Sequence, residues 1–256
     1  MSATRSATRR VQVSTAPSDT QKLAAELVGT AFLTGIGTSA VVATEKLLTA
    51  GKTSLSEADL GFIAFAFALA LAISIYSIGK VSGGYVNPAV TIAMLATRRI
   101  GPVQAGLYFA AQLVGAVIGS LGVIVIWGTS VAKSTSLGVA SFSSPTNAFQ
   151  AAIAEAIGAF IFLFVITAMA ADPRAPAGWA GLIIGLTLGV VILMMGPVTG
   201  ASLNPARSFG PMLVKTLFGG KVDWGQIWVY LIGPIVGGVL GAFAYDTIAD
   251  TRRAKP

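Results

Sequence analysis

Asn-Pro-Ala occurs twice in this chain, as Asn87-Pro88-Ala89 and as Asn204-Pro205-Ala206. Asn is a favoured N-cap and Pro is favoured at the first helical position, so each triplet predicts a helix start. A helix start exposes unpaired backbone N–H groups and a partial positive charge. The stretches ahead of the triplets, "SGGYV" and "TGASL", contain Gly83, Gly84 and Gly200, which permit sharp backbone turns. The second triplet is followed at once by Arg207, where the first has Val90. A guanidinium so close to a helix start repels cations and offers several hydrogen-bond donors to a polar solute. Val90 at the matching place indicates that the repeated unit folds without the arginine.

The surroundings of these triplets are those of a membrane protein. Of the 256 residues, 54% are hydrophobic and only 11% charged, against about 25% charged in soluble domains. Cys and His are both absent, which excludes disulfides and thiolate sites and removes the commonest general base and metal ligand. No cofactor, metal or enzymatic activity is expected. The net charge of +7 lies in short basic segments between apolar runs, a pattern of membrane orientation and not of nucleic-acid binding.

Six runs are long enough to cross a bilayer: about Leu23 to Val42, Leu60 to Ile78, Val103 to Trp127, Phe149 to Ala170, Trp179 to Met195 and Trp224 to Tyr245. The apolar stretches that begin at the two triplets are about ten residues each, roughly 15 Å as helix, too short to cross. Two such segments entering from opposite sides would together make one span. With six spans, Lys22, Lys80, Arg98, Arg99, Arg174 and both basic tails fall on one side, so both termini are expected to be cytoplasmic.

The chain repeats itself. "AAELVGTAF" at Ala24 returns as "IAEAIGAFIF" at Ile153, and Glu26 and Glu155 each stand near the start of a span. Each half carries three spans and one short segment. An odd number of crossings inverts the second half, and inverted repeats with interrupted helices meet at a site near the midplane. Glu26 and Glu155 are either solvated helix ends or buried acceptors that fix the re-entrant turns, and an acid inside a span favours the second reading. Arg207 is either a pore residue or a side chain reaching to the membrane edge, and its place just after the N-cap favours the pore. Non-helical backbone at membrane depth must be buried in protein or line water, so "SGGYV" and "TGASL" can present carbonyls to a narrow path.

With "SGGYVNPAV", "TGASLNPARSFGP" and the paired "AELVGT" and "AEAIGAF" in view, the sequence resembles the aquaporin family, in its archaeal form, from about Lys22 to Tyr245. The resemblance implies an all-α membrane protein with six transmembrane helices and two re-entrant half-helices in an inverted 3+3 repeat. It implies a homotetramer in the plasma membrane with one pore per subunit, a central constriction at Asn87 and Asn204, and an outer selectivity filter. The filter positions it implies are Phe67, Ile192, Ala201 and Arg207. Strict water channels of the family usually have His at the Ile192 position and often Cys or Thr at Ala201, so this filter is expected to be wider and less polar. Glycerol facilitators usually carry Trp and Phe in the filter and Asp after the arginine; this chain has Ser208 there.

The expected function is a passive channel for water and small uncharged solutes that excludes protons and ions. The alternatives are a glycerol or small-solute facilitator with low water flux and a non-conducting membrane structural protein. A coupled transporter would need midplane carboxylates beyond the two loop-holding acids. The expected organisation is a disordered cytoplasmic tail at 1–21, a channel domain at 22–246 with repeats at 22–128 and 147–246, and a cytoplasmic tail at 247–256.

Overall fold

Helix boundaries follow local chemistry throughout the structure, a computed structural model that describes residues 16–250. Helix α1 (Asp19–Gly51) starts at a capping box in which Ser18 and Gln21 satisfy each other's backbone N–H groups. It runs nine residues past Val42, because "ATEKLLTAG" favours helix after its apolar run has ended, and it stops where Lys52 turns left-handed. Helix α2 (Glu57–Ser82) repeats the device with Ser56 and Asp59 and ends at left-handed Gly83. Then come the half-helix α3 (Pro88–Ala96), the full-length α4 (Pro102–Trp127) and the short α5 (Val131–Ser134).

The second half opens with α6 (Ala148–Ile166), which widens into a π-helical turn at Thr167–Ala171. Helix α7 (Ala180–Thr199), half-helix α8 (Pro205–Leu217), a 3₁₀ turn at Trp224–Gln226 and α9 (Ile227–Ala249) complete the order. Six of these helical segments are long and apolar enough to cross a membrane. The tail segments 1–15 and 251–256 lie outside the described residues. Residues 19–21 and 247–249, in the stretches expected as tails, are helical, since each continues the helix beside it.

The packing obeys the repeat. Helix α1 lies against α4 and α2, and α6 lies against α9 and α7 in the same way. Half-helix α3 packs on α9, and α8 packs on α4, so each half-helix is held by the other repeat. Close approach explains the glycine stripe of α9. A Cβ on Gly237 would collide with the backbone of Ala156, so only glycine lets α6 and α9 meet at this depth. The starts of α1 and α4 and the ends of α2 and α9 share one face, here the terminal face. Half-helix α3 dips in from it, and α8 dips in from the opposite face.

Candidate functional site

Both re-entrant turns are built alike. Gly83, Gly84 and Val86 have φ of 95°, 65° and 44°, and Gly200, Ala201 and Leu203 have φ of 75°, 45° and 57°, so the same three positions of each turn have positive φ. For a β-branched residue such as Val86 this conformation is a rarity and costs on the order of 1–3 kcal/mol. The strained backbone presents its N–H groups inward, and a buried carboxylate collects them. Glu26 accepts from Tyr85 N at 3.0 Å, Val86 N at 2.7 Å and Ser82 Oγ at 2.6 Å. Glu155 accepts from Ser202 N at 2.9 Å, Leu203 N at 2.8 Å and Thr199 Oγ1 at 2.7 Å. Both glutamates are fully buried. Tyrosines tie down the preceding residues in parallel: Tyr108 donates to Ser82 O and Tyr230 to Thr199 O, each at 2.8 Å.

One difference separates the two supports. Gln112 Nε2 gives Glu26 a further bond at 2.7 Å and also donates to Thr91 Oγ1 at 2.9 Å. The position in register on α9 is Pro234, which has no donor. Sequence reasoning did not single out Gln112, Tyr108 or Tyr230. A lone amide in an apolar span was the available signal for Gln112, and the in-register pair was the signal for the tyrosines.

The turns deliver Asn87 and Asn204 to the same place. Asn87 Oδ1 caps Ala89 N at 2.8 Å, and Asn204 Oδ1 caps Ala206 N at 3.0 Å and Arg207 N at 3.2 Å. The amide nitrogens are partly engaged. Asn87 Nδ2 donates to Leu203 O and Asn204 Nδ2 to Val86 O, both at 2.9 Å. Each amide carries two N–H groups, so each keeps one for another acceptor.

A cavity of about 340 Å³ runs past this junction. Asn87, Asn204, Phe67, Ile192, Ala201 and Arg207 all line it, with aliphatic walls from Leu71, Ile184 and Leu188. Pro88, Ala89, Pro205 and Ala206 stand behind the asparagines as the buried first turns of α3 and α8. The Arg207 guanidinium lies 5.0 Å from the centre of the Phe67 ring, within cation–π range. Its Nη1 is buried and has no hydrogen-bond partner among the described residues. A buried donor left open beside a cavity is suited to a passing polar solute.

Charged residues also organise the two ends. On the opposite face Lys215 is buried and donates to Ala132 O at 2.9 Å and to Thr135 O. It thereby fastens α8 to the α4–α6 connection, and Glu45 Oε2 accepts from Ser136 N at 2.9 Å in the same connection. On the terminal face Asp172 is bound by Arg174 at 2.6 Å and by Tyr245 Oη at 2.8 Å. Among the described residues no cluster of three or more acids is placed to hold a metal ion.

Comparison with known proteins gives a consistent result. The profile of the family described as "Major intrinsic protein" matches residues 13–245. The chain is 40% identical over 240 residues to a "Probable aquaporin AqpM" from Archaeoglobus fulgidus, covering 90% of this chain and 97% of that one. It is 38% identical over 223 residues to a "Glycerol uptake facilitator protein-like 6" from Lactiplantibacillus plantarum, covering 87% and 95%. Among solved structures, the aquaglyceroporin of Plasmodium falciparum superposes with a TM-score of 0.79 at 26% identity, covering 92% of this chain and 98% of that one.

Proposed function

The chain belongs to the major intrinsic protein family, as a multi-pass membrane channel for water and small solutes, and we propose that the cavity beside Asn87 and Asn204 is its pore. The observation that carries this reading is the meeting of two half-helix starts at one cavity, each with an amide N–H to spare. A water molecule there accepts from the two asparagines, which fills both of its lone pairs, so it can donate to its neighbours along the path but accept from none of them, and that orientation breaks the hydrogen-bonded chain that protons would follow. The positive ends of α3 and α8 oppose cations at the same point.

Arg207, Phe67, Ile192 and Ala201 form the narrow filter in this reading, and Glu26 and Glu155 anchor the turns that shape it. Small Ala201 and aliphatic Ile192 leave it wider and less polar than a filter carrying His. The named glycerol facilitator among the relatives and the aquaglyceroporin structure favour a second substrate class, small polyols, beside water. The protein works as a homotetramer in the plasma membrane with the terminal face toward the cytoplasm. The basic residues Lys80, Arg98, Arg99 and Arg174 on that face support this orientation. Stopped-flow light scattering on proteoliposomes under sucrose and glycerol gradients tests the reading. Rapid shrinkage with a low activation energy supports a pore, and shrinkage no faster than in empty vesicles overturns it.

A further inference from the structure

The fixed charges that face the pore share one sign. Arg207 stands at one end, and the starts of α3 and α8 lie at the middle. At the terminal-face end the cavity is lined by Arg99. A uniformly positive path repels cations, but it also gathers small anions. Something must offset the charge where solutes enter.

Arg99 makes an ion pair, and among the described residues Arg207 makes none. Arg99 follows the end of α3, set by left-handed Arg98 and by its own N–H bond to Met94 O at 2.8 Å. Its guanidinium makes a two-pronged bond to Asp246, Nη1 to Oδ2 at 2.8 Å and Nη2 to Oδ1 at 2.6 Å. The Arg99 side chain is 22% exposed and that of Asp246 only 6%, so the mouth meets the guanidinium while the carboxylate lies behind it. Asp246 is on the last turn of α9, in the other repeat, and does not line the cavity. The fold does not require this pair. In register in the opposite repeat, Arg99 corresponds to Thr216 and Asp246 to Ile124, and that half folds without an ion pair there. Among the other described charges on this face, Arg98 and Lys80 are exposed, and Arg174 is matched by Asp172.

We propose that Asp246 is a specificity-determining residue that acts through Arg99: it cancels the charge of the mouth, so that Arg99 offers N–H donors to neutral solutes without collecting small anions. This rests on the pore reading above. The test uses full-length protein in vesicles loaded with an iodide-quenched dye, with water flux recorded on the same preparations. Asp246→Asn is expected to retain water flux and to raise iodide entry at least about tenfold, the lower end of what a single-sign cleft does to local counter-ion supply. Arg99→Leu combined with Asp246→Asn removes both charges and is expected to return iodide entry to the wild-type level. Asp246→Ser serves as the neutral variant if Asp246→Asn does not reconstitute. Wild-type iodide entry in the single variant, or a leak that persists in the double variant, overturns the proposal, the latter by showing a structural opening. Absence of water flux in the wild type would instead overturn the pore reading itself.

Discussion

Asn87 and Asn204 are each bonded to the turn that carries the other: Asn87 donates to Leu203 O and Asn204 to Val86 O, both at 2.9 Å. The two half-helices are thus joined at their starts by reciprocal side-chain bonds, and neither turn is set without its counterpart. The residues that accept, Val86 and Leu203, are also the ones held left-handed by Glu26 and Glu155.

The first prediction follows from that linkage. Asn87→Ala removes the cap on Ala89 N and the bond to Leu203 O together. Losing the cap costs about 1 kcal/mol, and a buried carbonyl left without a donor costs about 1–3 kcal/mol more. The thermal midpoint in detergent is expected to fall by several degrees, and Asn204→Ala is expected to behave alike. A large fall in one variant with no change in the other would show that the two sites are not coupled in the way described.

The second concerns Glu155. A glutamine has one acceptor oxygen in place of two, and its amide group would face N–H donors. At least one of the bonds from Ser202, Leu203 and Thr199 is lost, and bonds to a charged acceptor are worth about 1.5–3 kcal/mol each. Glu155→Gln should therefore lower both stability and water permeability. Glu57→Gln, at an exposed helix start, should change neither. Equal melting and equal flux in the two variants would remove Glu155 from its anchoring role.

Much of this architecture is legible in the sequence, and the limits have physical causes. The crossings can be read because lipid demands long apolar runs, and the half-helices because Asn-Pro is an N-cap followed by a first-turn proline. The ends of α1 and α9 cannot be read the same way, since "ATEKLLTAG" and "DTIA" stay helical by local preference after the apolar signal has stopped. Glu26 and Glu155 are conspicuous as acids in apolar runs. Gln112 is not, because an amide inside a span carries no charge to mark it, and its partner lies 86 residues away. Arg99 looks like any basic loop residue until Asp246, on another helix, is seen behind it.

The third prediction concerns the pH dependence of the Asp172 latch. The chain has no histidine, so no side chain has an ordinary pKa between 5 and 8. At the terminal face, bonds from Arg174 hold the Asp172 carboxyl well below the usual carboxylate range. A group with a depressed folded pKa stabilises the fold above its unfolded pKa of about 3.9 and loses that contribution as pH falls toward the folded value. The Asp172 latch, which ties the α6–α7 connection to Tyr245 of α9, is therefore complete from pH 8 down to pH 5. The contribution of this latch to thermal stability, read as the difference in melting between wild type and Asp172→Asn, should be flat over that range and fall only in stronger acid, with Asp172→Asn melting lower at neutral pH. A wild-type fall between pH 7 and 5 that Asp172→Asn abolishes would contradict this assignment.

The central claim is that the cavity is the conducting path and that Arg207 decides what passes along it. Two unit charges about 4 Å apart repel by roughly 4 kcal/mol at an effective dielectric of 20, which slows cation entry by about a thousandfold. The decisive measurement compares wild type and Arg207→Val in the same vesicles, recording water, glycerol and cation flux side by side. Water flux should persist, glycerol flux should rise, and a cation leak should appear, held in part by the starts of α3 and α8. Unchanged glycerol and cation permeability in a folded Arg207→Val protein would contradict the account, because Arg207 would then not face the path that solutes take.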